Sequence, residues 1–91
     1  MDAKTNDLPL GNMSPTSQVL RSAEDLGGIA RKQRKLLGLK QEEVAGLGNT
    51  GNRFIVDLER GKPTLRLQMA LDVLDLLGLE VVVRPKSGGS Q

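Results

Sequence analysis

Asn52, Arg53, Val56, Asp57 and Arg60 recur at helical spacing and give one short segment a polar, cationic arc, while Phe54, Ile55 and Leu58 mark its opposite, apolar side. A second short segment upstream carries Val44, Ala45 and Leu47 on its apolar face and Gln41 in its opening turn. These side chains supply hydrogen bonds and positive charge, and an arc of this size and composition fits a DNA major groove. Bond-making chemistry is poorly served. The chain has no Cys, His or Tyr, which excludes thiolate and imidazole catalysis, disulfides and Cys/His zinc sites. The carboxylate pairs Glu42/Glu43 and Asp72/Asp75 fall on outward or mixed helix faces, so neither is poised for acid-base work. The sequence therefore points to a binding protein without cofactor or metal, and not to an enzyme.

Ninety-one residues leave room for one domain. A core of that size rarely contributes more than roughly 3–5 kcal/mol unaided, so oligomerisation is expected. The net charge of +2 is mild, but its distribution is uneven: Arg31, Lys32, Arg34, Lys35 and Lys40 cluster, Arg53, Arg60, Lys62 and Arg66 follow, and Asp72, Asp75 and Glu80 lie beyond. Placed beside the two short helices, the basic run suits phosphate contact better than a merely solvated face. Single-stranded nucleic acid is a poorer partner, because it wants aromatic stacking platforms and Phe54 is the one aromatic residue. No secretory signal or membrane span is legible, and a soluble, cytoplasmic protein is expected.

The elements that must position the arc follow in order. Residues 1–21 carry Pro9, Gly11 and Pro15 with no sustained period and read as a flexible arm, with a short extended piece at Gln18 to Leu20. Residues 22–85 form the folded domain. Ser22 with Asp25 makes a capping-box-like start for a helix over Ala23 to Leu37. Its inner side is read as Leu26, Ile29, Ala30, Gln33, Leu36 and Leu37, with Arg34 at the boundary and Gly38 as the C-terminal stop. Helices over Gln41 to Leu47 and Asn52 to Arg60 enclose the turn Gly48-Asn49-Thr50-Gly51, a helix-turn-helix arrangement in which the second helix reads bases and the first crosses the phosphates. Gly61 and Pro63 end the second.

Glu59 sits at the edge of that helix's inner face as Arg34 does on the first helix; spacing alone leaves an ion pair and a chance placement both open. A helix over Leu67 to Leu77 is apolar on two sides, Leu67, Ala70, Leu71, Leu74 and Leu77 against Met69, Val73 and Leu76, and the second side is assigned to another subunit. Leu79 to Arg84, stopped by Pro85, reads as a lone β-strand whose Val81, Val82 and Val83 should pair with the same strand of a twofold-related copy, or with Gln18 to Leu20. Residues 86–91 form a flexible tail.

Gly38-Leu39-Lys40-Gln41-Glu42-Glu43-Val44-Ala45 and Phe54-Ile55-Val56-Asp57-Leu58-Glu59-Arg60-Gly61-Lys62-Pro63-Thr64 resemble the Cro/C1-type helix-turn-helix of phage repressors and xenobiotic-response-type regulators. The likeness spans Asp25 to about Gly78. Within that group, Ala23-Glu24-Asp25-Leu26-Gly27, the Glu-Arg-Gly-Lys-Pro-Thr turn and the terminal Leu79-Glu80-Val81-Val82-Val83-Arg84-Pro85 are similar to HipB-type antitoxins, partners of HipA-type serine/threonine kinase toxins. The resemblance implies an all-α Cro/C1-like bundle of four or five short helices, with the C-terminal strand pairing across a dimer. It further implies base reading by Asn52, Arg53 and Asp57, backbone contacts from Lys40, Gln41, Lys62, Thr64 and Arg66, and a structural ion pair between Arg34 and Glu59.

Three positions depart from the family pattern: Gly51 replaces a Ser or Thr N-cap, Thr50 a small apolar residue, and Asn49 the turn glycine. A Gly N-cap costs only a few tenths of a kcal/mol against Ser, and Asn enters the left-handed region comparatively easily. The expectation is a homodimeric repressor of its own operon at a palindromic double-stranded operator in a bacterial nucleoid, and the antitoxin of a HipA-like kinase. The alternative is a stand-alone Cro/C1-type regulator; a bridging protein that uses the fold for protein contacts ranks behind both.

Overall fold

Four helices follow one another in the computed structural model, which describes residues 17–86. They are α1 (Ala23–Leu36), α2 (Gln41–Leu47), α3 (Asn52–Arg60) and α4 (Leu67–Leu76). The start of α1 is fixed by Ser22, whose Oγ accepts the Asp25 backbone N–H at 3.1 Å. Asp25 returns the bond to the Arg21 N–H at 2.9 Å, one residue earlier than a standard capping box. Leu37 caps the other end and Gly38 follows at φ 73°. No helix among the described residues is long and apolar enough to cross a membrane.

The core is formed by Ala30, Val44, Ala45, Ile55, Leu58, Ala70, Val73, Leu74 and Leu77, with Leu26, Leu39, Phe54, Leu65 and Leu79 packed around it. Helix α1 meets α3 at Gly27. A methyl group added there would lie 2.5 Å from the Leu58 carbonyl oxygen and 2.7 Å from that of Glu59, so the backbones touch because no side chain intervenes. At the end of α3, Gly61 takes φ 83° and lets the Lys62 N–H return to the Asp57 carbonyl at 3.0 Å. It also packs against the backbone of Glu24, which closes a second contact between α3 and α1. The C-terminal ends of α1 and α4 are tied by Gln33, whose Nε2 donates to the Leu77 carbonyl at 2.9 Å.

Several expectations need correction. The buried line of α1 is Gly27, Ala30 and Arg34, and Leu36 and Leu37 are 72% and 50% exposed. Close approach at Gly27 turns the contact face of α1 toward that line and away from Ile29 and Leu36. Val73, assigned above to a dimer interface, is buried in the core at 1% exposure. It lies one turn from both Ala70 and Leu77, so it shares their arc, and the stripe opposite reduces to half-buried Met69 and partly exposed Leu76. No strand is formed among the described residues: 79–86 run without a ladder, and so do 17–20. A lone strand has no hydrogen-bonding partner inside one chain, and Val81, Val82 and Val83 stay exposed. The expected arm falls largely on residues 1–16 and the tail on 87–91, both outside the described residues.

Gly27→Ala should separate α1 from α3 and lower stability by roughly 1–3 kcal/mol, because overpacking against backbone has no rotamer escape. Gly28→Ala, where nothing lies within 4 Å of the added methyl, should instead be neutral or stabilising by up to ~1 kcal/mol. Urea unfolding of the two variants side by side checks the contrast.

Candidate nucleic-acid interface

Helices α2 and α3 are joined by a turn whose backbone bonds define its shape. The Gly48 N–H returns to the Val44 carbonyl at 2.9 Å and the Thr50 N–H to the Ala45 carbonyl at 2.9 Å, while Asn49 adopts φ 56°. Asn49 thus takes the left-handed role expected for it. Thr50 is half-buried and spends its hydroxyl on the Gly51 carbonyl at 3.2 Å. Gly51 is the N-cap of α3, with no side-chain bond to the first turn. At the head of α2, Lys40 is the N-cap and its N–H donates to Glu43 Oε1 at 2.7 Å.

Below this motif lies its main polar linkage. Arg34 Nε donates to Glu59 Oε2 at 2.6 Å and Arg34 Nη2 to Glu59 Oε1 at 3.0 Å, with side-chain exposures of only 10% and 4%. The remaining guanidinium arm, Nη1, donates to the Leu39 carbonyl at 2.7 Å. Glu59 Oε1 also accepts Gln41 Nε2 at 3.1 Å. One carboxylate on α3 therefore holds the end of α1 and the head of α2. Hydrogen bonding to Glu59, joined by the negative charge of that carboxylate, raises the Arg34 pKa above its already high ordinary value despite burial. The expected Arg34–Glu59 pair is present, in its bidentate form.

The outward face carries the other expected residues. Asn52, Arg53 and Arg60 are exposed on α3, and Lys40, Thr64 and Arg66 are exposed on the flanking loops. Arg53 Nε pairs with Asp57 Oδ1 at 3.2 Å, and Lys62 Nζ lies 3.6 Å from Asp57 Oδ2. Arg53, Asp57 and Lys62 thus form one cluster, whereas the side chains of Lys40, Thr64 and Arg66 make no hydrogen bond or ion pair among the described residues. Gln41 is half-buried and joined to Glu59, so its amide nitrogen faces inward. The close approach at Gly27, the Gln33 bond to α4 and the contacts of Asp57 with Arg53 and Lys62 were missed from sequence. The adjacent glycines Gly27 and Gly28 within a helical period and the four-residue spacing of Arg53 and Asp57 were the signals that could have found two of them.

With this geometry in view, the helix-turn-helix family model matches residues 31–83. The chain belongs to the helix-turn-helix family, of the Cro/C1 type, and with that family it is a DNA-binding transcriptional regulator. It is 44% identical over 62 residues, 68% of this chain and 82% of the relative, to the uncharacterized HTH-type transcriptional regulator y4mF of Sinorhizobium fredii (strain NBRC 101917 / NGR234). Two solved structures share the fold at 20% identity and a TM-score of 0.70: a chain described as MDT Protein and one described as a HipB–O4 20mer complex. Each likeness covers 76% of this chain and 97% of the other.

The buried pair should be asymmetric in its response to mutation. Glu59→Ala, which strands the Arg34 guanidinium, should cost about 3–5 kcal/mol and unfold much of a domain this small. Replacing both partners together, Arg34→Met with Glu59→Leu, should recover most of that loss. Thermal unfolding by circular dichroism compares them, and equal damage from the single and double changes would show that the stranded charge is not what destabilises the single variant.

Proposed function

We propose that this regulator is a homodimeric repressor of its own operon and the antitoxin of a HipA-like serine/threonine kinase. The observation that carries the DNA half is the division of α3 into a pinned inner side at Glu59 and an exposed outer side at Asn52, Arg53 and Arg60. In this reading α3 enters the major groove, Asn52 and Arg53 contact base edges, and Arg53 places two donors on guanine O6 and N7. Lys40, Gln41, Lys62, Thr64 and Arg66 serve the phosphate backbone; Gln41 does so by exchanging or sharing its bond to Glu59.

A second copy is called for by apolar surface. Leu36 and Leu37 at the end of α1, Leu76 near the end of α4, and Val81, Val82 and Val83 after it remain exposed, with Met69 half-buried nearby in sequence. Pairing of the 79–84 segments across a twofold axis would bury them and supply the missing ladder. The kinase partner is supported by the HipB-like motifs of the sequence and by likeness to the HipB chain in fold. The second reading is a stand-alone regulator, and the relative from Sinorhizobium fredii, an uncharacterized HTH-type transcriptional regulator, fits either. Either protein works at the bacterial nucleoid, in the cytoplasm.

Titration of a duplex drawn from the region upstream of the chain's own coding sequence tests the DNA contacts. Two chains should bind each palindromic site. Arg53→Ala should cost roughly 1–3 kcal/mol there and relax preference at one base pair, while Lys62→Ala should weaken cognate and scrambled duplexes alike and reduce the salt slope by about one. Equal losses on both duplexes for Arg53→Ala would refute base reading.

The partner is tested by co-expressing the chain with the product of its neighbouring gene and purifying through one tag. A kinase-like neighbour should co-purify, lose its growth toxicity and leave DNA binding intact, since α3 is committed to the groove. A neighbour that is no kinase, or one that neither binds nor is neutralised, leaves the stand-alone regulator in its place.

A further inference from the structure

We infer that Asp57 is a positioning residue for DNA recognition, setting the Arg53 guanidinium for a single guanine and holding Lys62 beside it, and does not itself touch a base. The inference rests on the reading of Arg53 as a base-contacting residue and changes the role expected for its neighbour. Asp57 has a short side chain, 13% exposed, at the floor of the outward arc, whereas Arg53 and Lys62 rise past it at 78% and 51%. Its two oxygens face two different cations: Oδ1 the Arg53 Nε and Oδ2 the Lys62 Nζ. A carboxylate so placed has little reach left for a cytosine amino group.

The geometry of the pair also suits preparation for a ligand. The closest approach is through Nε, and neither terminal Nη group makes a hydrogen bond among the described residues, so both remain for the fork that a guanine O6/N7 edge requires. An unrestrained arginine would lose its rotamer freedom on binding; one already leaned on a carboxylate has lost part of it beforehand.

Helix stability is a weaker explanation. Arg53 is the second residue of α3, where the helix dipole disfavours a cation. With the cation N-terminal to the acid by four residues, the pair also has the less favourable orientation for an isolated helix. Negative charge beside the phosphates, finally, opposes indiscriminate binding, so the same group that prepares Arg53 lowers affinity for DNA that offers it no guanine.

The experiment selects from a pool of double-stranded DNA with a randomised central segment, using the full-length wild type, Arg53→Ala, Asp57→Ala, Asp57→Asn and the double variant Arg53→Ala/Asp57→Ala, each checked for intact helix content. Wild type should prefer guanine at one position per half-site, and Arg53→Ala should lose that preference. Asp57→Ala should reduce the same preference about two- to fivefold while binding to unselected DNA holds or rises. Asp57→Asn, which keeps the shape of the side chain but not the charge that faces both cations, should reduce it as Asp57→Ala does. In the Arg53→Ala background the loss of Asp57 should change nothing further at that position. The inference is overturned if Asp57→Ala leaves the guanine preference whole, shifts preference at a different base pair, or weakens selected and unselected DNA equally. If Arg53→Ala itself leaves every preference unchanged, base reading by Arg53 fails first and the role of Asp57 falls with it.

Discussion

Three helices of this small domain meet at one carboxylate. Glu59 takes two bonds from Arg34 and one from Gln41, and Arg34 spends its last donor arm on the Leu39 carbonyl between α1 and α2. Burying a guanidinium and a carboxylate costs several kcal/mol in lost hydration for each ion, and their attraction repays it only when the remaining donors and acceptors are satisfied. Here each of the three guanidinium nitrogens has a named partner. The arrangement is therefore stable only as a whole: shifting α1 along α3, or rotating α2 away, would leave charge buried without compensation. A purely apolar contact of the same area would tolerate such sliding far better, since dispersion and hydrophobic burial are not directional.

This constraint governs how closely the backbone must approach around the motif. Gly27 allows α1 to come down on the Leu58 and Glu59 carbonyls, which is the approach that brings Arg34 within reach of Glu59. Gly61 then ends α3 and passes the chain beneath Glu24, so the α1–α3 contact is closed by a glycine at Glu24 and again at Gly27, and by the ion pair at Arg34. Helix α4 fills the remaining side of the core through Ala70, Val73, Leu74 and Leu77, and Gln33 links its final turn to α1. Among the described residues the core is complete within four helices, while Leu36 and Leu37 at the end of α1 and the three valines after α4 remain exposed.

Much of this was legible in the sequence because the signals were local. Ser22, Gly38, Gly61 and the Gly48-to-Gly51 break mark helix ends through capping and turn chemistry, and the observed boundaries of α2 and α3 coincide with those read from them. Arg34 with Glu59 was legible through resemblance, not spacing. The failures have a common cause in helix rotation. Leu36 and Leu37 looked like core, and Val73 like interface, because a helical period fixes which residues share a face but leaves the choice between neighbouring arcs to tertiary packing. That choice was made at Gly27, an absence of side chain that a hydrophobicity pattern weighs as nothing. The segment 79–84 is a different case: its β-branched pattern is real, but no ladder partner for it lies among the described residues, and an unpaired strand does not form.

Helix α3 carries two carboxylates two residues apart, and their environments give them different strengths. Glu59 has a side chain almost wholly buried and bound bidentately by Arg34, so those two bonds persist whatever lies outside. Asp57 meets its cations at the surface, where a pair of this kind is worth only ~0.2–1 kcal/mol after solvent screening. A bidentate contact between arginine and guanine is worth ~1–3 kcal/mol, enough to use or displace the outer pair but not to disturb the inner one. The helix is thus fixed on one side and adaptable on the other. Its acids are also masked unequally: Glu59 cancels Arg34 inside the fold, while Asp57 is shared between Arg53 and Lys62. Arg53, Lys62 and the exposed Arg60 together outweigh that single surface carboxylate, so the face turned outward keeps the net positive charge that a phosphate backbone attracts.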